Sequence, residues 1–295
     1  MRILITGKNG QLGQSIKKIV DERKFPNLNN YEFVFIGREE LNLEDISSIK
    51  PYFDIHEFNI IINCAAYTKV DKAEESQKQA NLINHTAVRE LAKIAVNNNI
   101  KLIHISTDFV FDGLKNEPYT EIDNAAPINI YGKSKYAGEQ SIQSVMKKNA
   151  IIIRTSWLYS EFGNNFVNTI LRLSKTNNTL NVVIDQIGSP TYAKDLGKVI
   201  LSIIKSKNYC SIDQPTQIYH FSNEGTCSWF DFATEIVKIS GSKCVISPIL
   251  SKDYDSIANR PKYASLSCRK LIQAFGIDTI SWKDSLKKCI ENIEN

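Results

Sequence analysis

Short apolar runs alternate with stretches of helical periodicity through the first half of the chain. Residues 3–5, 33–36, 60–63, 102–106 and 151–154 are predominantly apolar runs of strand length. Between them, 11–20 places Leu12, Ile16, Ile19 and Val20 on one helical face, and 79–96 does the same with Leu82, Val88, Leu91, Ala92 and Ala95. The segment 131–146 follows with weaker contrast. Strands without polar alternation are buried on both faces, so this order predicts βαβ units around a doubly wound parallel sheet.

After about residue 160 the rhythm changes. Residues 164–173, 195–205 and 228–240 are helical in pattern, 182–184 and 218–221 are strand-like, and loops such as Gly188-Ser189-Pro190-Thr191 join them. The prediction is an α/β chain with a first domain at 1–160 and a smaller substrate lobe at 161–295, some of whose strands return to the first sheet.

Composition removes several function classes. The 295 residues hold 36 Lys and Arg against 32 Asp and Glu, a net charge of +4, far from the basic surface that nucleic acid or anionic lipid requires. The six cysteines, at 64, 210, 227, 244, 268 and 289, form no Cys-x-x-Cys, which predicts free thiols in a reducing compartment. No apolar stretch approaches the ~18 residues of a membrane span, and the run after Met1 is too short for a signal-peptide core. A cytoplasmic protein is expected, with neither nucleic acid nor membrane as partner.

The first strand runs straight into Thr6-Gly7-Lys8-Asn9-Gly10-Gln11-Leu12-Gly13, which opens the first helix. Glycines there let the chain turn tightly and bring bare N–H groups to a pyrophosphate at the positive helix end. The spacing Gly7-x-x-Gly10-x-x-Gly13 departs from G-x-G-x-x-G, but its place between strand and helix predicts a Rossmann-type dinucleotide site. The second strand ends Phe35-Ile36-Gly37-Arg38, with Arg where a carboxylate would hold the ribose diol. Arg38 on a 2′-phosphate implies NADPH; NADH stays open with Glu39 and Glu40 adjacent, as does an Arg38 that is plain surface.

Two segments carry reaction chemistry: Ser106-Thr107-Asp108 at the end of the fourth strand and Tyr131-Gly132-Lys133-Ser134-Lys135 opening a helix. The carboxyl ends of parallel strands line the ligand crevice, so Thr107 is expected to face the site. Tyr131 and Lys135 share a helical face, where an ammonium is expected to lower the phenol's pKa.

Together these segments resemble the extended short-chain dehydrogenase/reductase superfamily and, within it, the dTDP-4-dehydrorhamnose reductases. The resemblance runs from the glycine turn through Ala65-Ala66-Tyr67-Thr68, Ser106-Thr107-Asp108-Phe109-Val110-Phe111-Asp112-Gly113 and Tyr131-Gly132-Lys133-Ser134-Lys135 to Asp185-Gln186-Ile187-Gly188-Ser189-Pro190-Thr191 and Arg260-Pro261. It implies that Tyr131 protonates the C4 keto oxygen of a nucleotide-linked 4-keto sugar as NADPH delivers hydride. Lys135 then holds the nicotinamide ribose and tunes Tyr131, and Thr107 bonds the reacting oxygen. Gly10, Gln11 and Leu12 meet the pyrophosphate, and Ala66, Tyr67 and Thr68 flank the cofactor. Asp108 touches the sugar with Thr107, and Trp157 packs on the substrate unless it only fills the core. Asp185 and Arg260 stay outside the catalytic set as candidates for structural ion pairing.

Some family members dimerise through magnesium held by two glutamates. Ser15 and Lys194 stand at those positions here, so no metal is expected, and the chain is read as a monomer or homodimer. His56, His85, His104 and His220 lack metal-ligand spacing and read as structural. Two rival functions share the fold. The related dehydratases often carry Thr-Asp-Glu where this chain has Thr107-Asp108-Phe109, and so lack of the glutamate disfavours water elimination. The second rival is a non-catalytic regulatory subunit, against which the complete Thr107, Tyr131 and Lys135 set argues.

Overall fold

The computed structural model describes residues 1–22, 30–210 and 214–294. The chain opens with β1 (Arg2–Thr6), α1 (Gln11–Asp21), β2 (Glu32–Ile36), α2 (Ile46–Ile55) and β3 (Ile60–Asn63). Next come α3 (Val70–Glu75), α4 (Gln77–Asn81), a π-helical turn (Leu82–Thr86), α5 (Ala87–Asn97) and β4 (Lys101–Thr107). A 3₁₀ turn (Asp108–Val110) leads to α6 (Ile130–Val145), β5 (Ala150–Thr155), β6 (Leu158–Tyr159) and α7 (Phe166–Leu173). The remainder contains β7 (Thr179–Val183), β8 (Ile187–Gly188), β9 (Thr191–Tyr192), α8 (Ala193–Lys205), α9 (Lys207–Cys210) and β10 (Gln217–His220). It ends with β11 (Cys227–Ser228), α10 (Trp229–Ile239), β12 (Val245–Ile249), α11 (Arg269–Phe275) and α12 (Trp282–Glu294).

The five expected strands lie in one parallel sheet of order β10-β5-β4-β3-β1-β2. Its sixth member, β10, comes from the second stretch of sequence and pairs Tyr219 with Ile153. Leucine and isoleucine side chains of the sheet bury on both faces, which explains why its strands are apolar without a polar face. On one face Ile3, Ile5, Ile62 and Ile153 pack with Ile16 and Ile19 of α1 and with Leu196 and Ile200 of α8. On the other, Leu4, Ile61, Leu102 and Ile152 pack against Leu91 and Ala92 of α5 and Ile142 of α6.

A separate core holds Val167, Phe232, Ile236, Leu286 and Ile290, joining α7, α10 and α12 beside the sheet. The pair β7 and β12 runs parallel next to it. Strand order turns outward to β2 on one side of β1 and to β3 on the other, so the crevice for a ligand opens above β1 and β3.

One expected helix is broken. The apolar spacing across 79–96 is continuous, yet the structure inserts the π turn at Leu82–Thr86 between α4 and α5. A π turn adds one residue to the helical register without needing a glycine or proline, so periodicity does not reveal it. No helix among the described residues is long and apolar enough to cross a membrane.

Candidate active site

The glycine turn is built by close backbone approach. Gly7 has φ +73°, and a Cβ at Gly13 would stand 2.3 Å from the Gly7 carbonyl oxygen, so neither position accepts a side chain. Gly10 is the N-cap of α1 and offers no side-chain cap. The first helical bond across this end runs from Gln14 N–H to the Gly10 carbonyl at 3.0 Å, which leaves the N–H groups of the first turn directed outward. This bare helix end, beside a cavity of about 710 Å³, is a fitting cradle for a pyrophosphate.

That cavity brings together Gly7, Gly10, Gln11, Leu12, Arg38, Ala66 and Thr68 with Thr107, Asp108, Tyr131, Lys135 and Trp157. Gly13 lies under the turn rather than on its surface. Tyr67 is also absent from the lining, and its backbone is fixed instead. Asn84, buried in the π turn, accepts from Tyr67 N–H at 2.8 Å and donates to Tyr67 C=O at 3.0 Å. The same amide donates to Ser134 Oγ on α6 at 3.0 Å, so one residue ties the loop after β3 to the helix of Tyr131 and Lys135. Asparagine mid-helix carries no sequence signal for such a clamp.

Arg38 is 70 % exposed and pairs with Glu44 at 2.8 Å. Lys8 pairs with Glu40, which also accepts from Gly37 N–H at 2.8 Å. Two cations therefore stand at the tip of β2, each resting on a carboxylate.

Asn129 caps α6 by accepting from Gly132 N–H at 2.8 Å, which places Tyr131 in the first turn. The Thr107 side chain stands beside the Tyr131 phenol and favours its ionised form. Burial pushes Tyr131 up to about 12, against the pull of the Thr107 side chain and with a further push from Asp108. This corrects the expectation that Lys135 lowers it. The lysine instead donates to the Ile105 carbonyl at 2.7 Å and meets His104 Nε2 at 3.3 Å, away from the phenol.

Burial also pushes Lys135 down to about 8, opposed by the charge of Glu139 one helical turn along. His104 is held well below its usual range by burial and by Lys135, so it is a neutral imidazole, and Asn63 contacts its other nitrogen at 3.0 Å. The sequence reading of His104 as purely structural missed this place beside the lysine. Asp108 is pushed up to about 7 by burial, with the Thr107 hydroxyl, which donates to it at 2.9 Å, pulling the other way. Its second oxygen has no hydrogen-bond partner.

Phe109 meets Tyr131 edge-on, ring centroids 5.6 Å apart. Asp185 accepts from Ser251 N–H and Oγ, both at 2.7 Å, and against the push of burial these bonds, with the charge of Lys262 nearby, hold its carboxyl below the usual range. Arg260 does form an ion pair, with Asp71 at 2.6 Å, and also lines the cavity. Lys194 pairs with Glu22 at 3.2 Å.

A switch-point crevice with a glycine turn at one end and a Thr-Tyr-Lys cluster at the other defines an oxidoreductase of the short-chain dehydrogenase/reductase class. Residues 1–295 match the family model described as RmlD substrate binding domain, and the chain belongs to that family. It is 39 % identical over 292 residues to the dTDP-4-dehydrorhamnose reductase of Aggregatibacter actinomycetemcomitans, covering 97 % of each chain. Among solved structures, the dTDP-4-dehydrorhamnose reductase of Clostridium acetobutylicum superposes with a TM-score of 0.91 at 38 % identity, covering 100 % of both chains. That of Bacillus anthracis, solved in complex with NADP, gives 0.90 at 39 % identity over 99 % of both.

Proposed function

We propose that the chain reduces the C4 keto group of dTDP-4-dehydro-6-deoxy-L-mannose to give dTDP-L-rhamnose, a precursor of surface polysaccharide. The observation that carries this reading is the opening of the glycine turn and of Thr107, Tyr131 and Lys135 into one cavity. NADPH, with NADH as the alternative donor, supplies the hydride when bound.

The backbone of Gly10, Gln11 and Leu12 holds the pyrophosphate on a turn shaped by Gly7 and Gly13. Ala66, Tyr67 and Thr68 flank the cofactor, and Arg38 exchanges Glu44 for the 2′-phosphate. Lys135 donates to the nicotinamide ribose. Tyr131, kept as a phenol by its buried surroundings, gives its proton to the C4 oxygen, while Thr107 bonds both that oxygen and the phenol and so matches their proton affinities. Asp108 and Trp157 contact the sugar.

This divides the work between a cofactor-binding domain at 1–160, which α8 and β10 join from the second stretch, and a nucleotide-sugar lobe made by the rest of 161–295. We further read a cytoplasmic monomer or homodimer; the unbonded thiols of Cys64, Cys227, Cys244, Cys268 and Cys289 support a reducing compartment. The test is NADPH consumption, followed spectrophotometrically, against a panel of nucleotide-linked 4-keto sugars. Turnover confined to the rhamnose precursor and close analogues is expected; tight binding without turnover on any of them would return the non-catalytic reading.

A further inference from the structure

One side chain spans the two halves of the cleft. Gln11 opens α1, and its backbone belongs to the first turn, whose N–H groups face the pyrophosphate site. Its amide reaches the other way, into the segment that follows β5. Nε2 donates to the Leu158 carbonyl at 3.2 Å, and Oε1 accepts from Ser160 Oγ and from Asn165 Nδ2, both at 3.0 Å. Both ends of the amide are therefore engaged, with partners 147 to 154 residues away in sequence.

Those partners are tied in turn to the cavity wall. Asn165 caps α7, its Oδ1 accepting from Asn168 N–H at 3.1 Å, and Ser160 Oγ accepts from Phe162 N–H at 3.1 Å. The turn they hold presents Gly163, Asn164 and Phe166 to the same cavity as the glycine turn. Further along α1, Lys18 makes a second tie to this segment through Glu161 at 3.2 Å, but it stands outside the cavity lining.

We infer that the Gln11 side chain is a positioning residue that couples the two ligands: cofactor on the glycine turn tightens the binding of nucleotide sugar against residues 158–166, and the reverse. The inference rests on the nucleotide-sugar reading and deepens it. A pyrophosphate held by the first turn fixes the backbone that carries the amide. The bonds to Leu158, Ser160 and Asn165 then hold their segment with less freedom left to lose when the second ligand arrives. The effect is reciprocal because the binding free energies close a cycle.

The test measures the affinity of dTDP-L-rhamnose by calorimetry without cofactor and with saturating NADPH, a pair that cannot react because both are already reduced. The ratio of the two affinities is the coupling, and at saturation a change in NADPH affinity alone drops out of it. A ratio of about tenfold is expected in the wild type. Gln11→Met keeps the length of the side chain, loses the amide bonds and is expected to bring the ratio within about twofold of one. Asn165→Asp keeps the cap of α7 but sets a carboxylate against Gln11 Oε1, and is expected to do the same. Lys18→Gln, which weakens the other tie, is expected to keep the ratio. A segment that is merely displaced loses affinity equally with and without NADPH, so a structural role leaves the ratio alone. A wild-type ratio of one overturns the inference. So does a ratio retained in Gln11→Met, which would assign the coupling to direct contact between the ligands. Equal loss in Lys18→Gln overturns Gln11 as the link. Protein that binds no dTDP-L-rhamnose in either state overturns the nucleotide-sugar reading, and the coupling falls with it.

Discussion

Nζ of Lys135 lies 3.3 Å from Nε2 of His104, in surroundings that leave 1 % of the lysine exposed and none of the histidine. A buried ammonium needs lone pairs, and the Ile105 carbonyl and the neutral imidazole are the two it faces. Because Lys135 sits at about 8, kcat/KM for NADPH, which reports the free enzyme, is expected to decline as pH rises through that value. His104→Phe removes one lone pair and moves the decline to lower pH; His104→Gln, which keeps an acceptor, moves it less. An alkaline limb indifferent to His104→Phe would show that the histidine gives the ammonium no support.

Tyr131→Phe tests the proton donor. The ring and its edge-on contact with Phe109 remain while the hydroxyl goes. Turnover is expected to drop by about 10²–10⁴-fold, the usual worth of a positioned acid, with NADPH affinity nearly intact. Retention of near-wild-type kcat would move the proton-donor role elsewhere, and Asp108 would be the next group to test.

Arg38→Ala is expected to raise KM for NADPH about tenfold while leaving KM for NADH alone. Its pairing with Glu44 is an exposed one, so thermal stability should stay within measurement error. Equal losses on both cofactors would place Arg38 off the 2′-phosphate and transfer attention to Lys8, the second cation at this strand tip.

Much of this site was legible because its parts sit at strand ends and helix starts, where local sequence governs geometry. The runs at 3–5, 60–63 and 102–106 announce β1, β3 and β4, and the glycine turn announces α1. What spacing does not tell is direction. Tyr131 and Lys135 do share a face of α6, yet the ammonium turns down to Ile105 and the phenol meets Thr107, so the expected lowering of the phenol does not arise. That a strand of the second stretch returns to the sheet was expected, and β10 at 217–220 is that strand, but other contacts across the chain were hidden: Asn84 clamps Tyr67, and Trp229 meets Trp157 from 72 residues further along.

Asp108 stores instability at the site. Its folded-state pKa, about 7, lies above the ordinary 3.8, so between those values the folded protein keeps a proton that the unfolded chain releases. Stability therefore falls as pH rises through that window, and the full cost stands above about 7. Asp108→Asn removes the charge and is expected to be more stable than wild type above that pH, on the order of 4 kcal/mol, with the advantage gone in acid. Denaturant unfolding at both pH extremes measures this. An asparagine variant equally stable at both would mean that water reaches the carboxylate and relieves its burial.

Glu139 sits fully buried one turn beyond Lys135 on α6, where it accepts from Arg154 Nη2 at 2.6 Å and Nε at 2.9 Å and from the Ser106 hydroxyl at 2.5 Å. Its charge serves two cations: it neutralises Arg154 and raises Lys135 against the pull of burial. Glu139→Gln should therefore cost about 3–5 kcal/mol, because the guanidinium is left buried without a counter-charge. It should also move the alkaline decline of kcat/KM to lower pH. Adding Arg154→Met removes the orphaned charge and is expected to recover most of the stability, since a buried pair replaced by apolar bulk is often neutral. The pH decline should stay displaced in the double variant, because Lys135 still lacks its carboxylate. Return of the wild-type profile together with the stability would show that Glu139 acts on Lys135 only by keeping α6 in place.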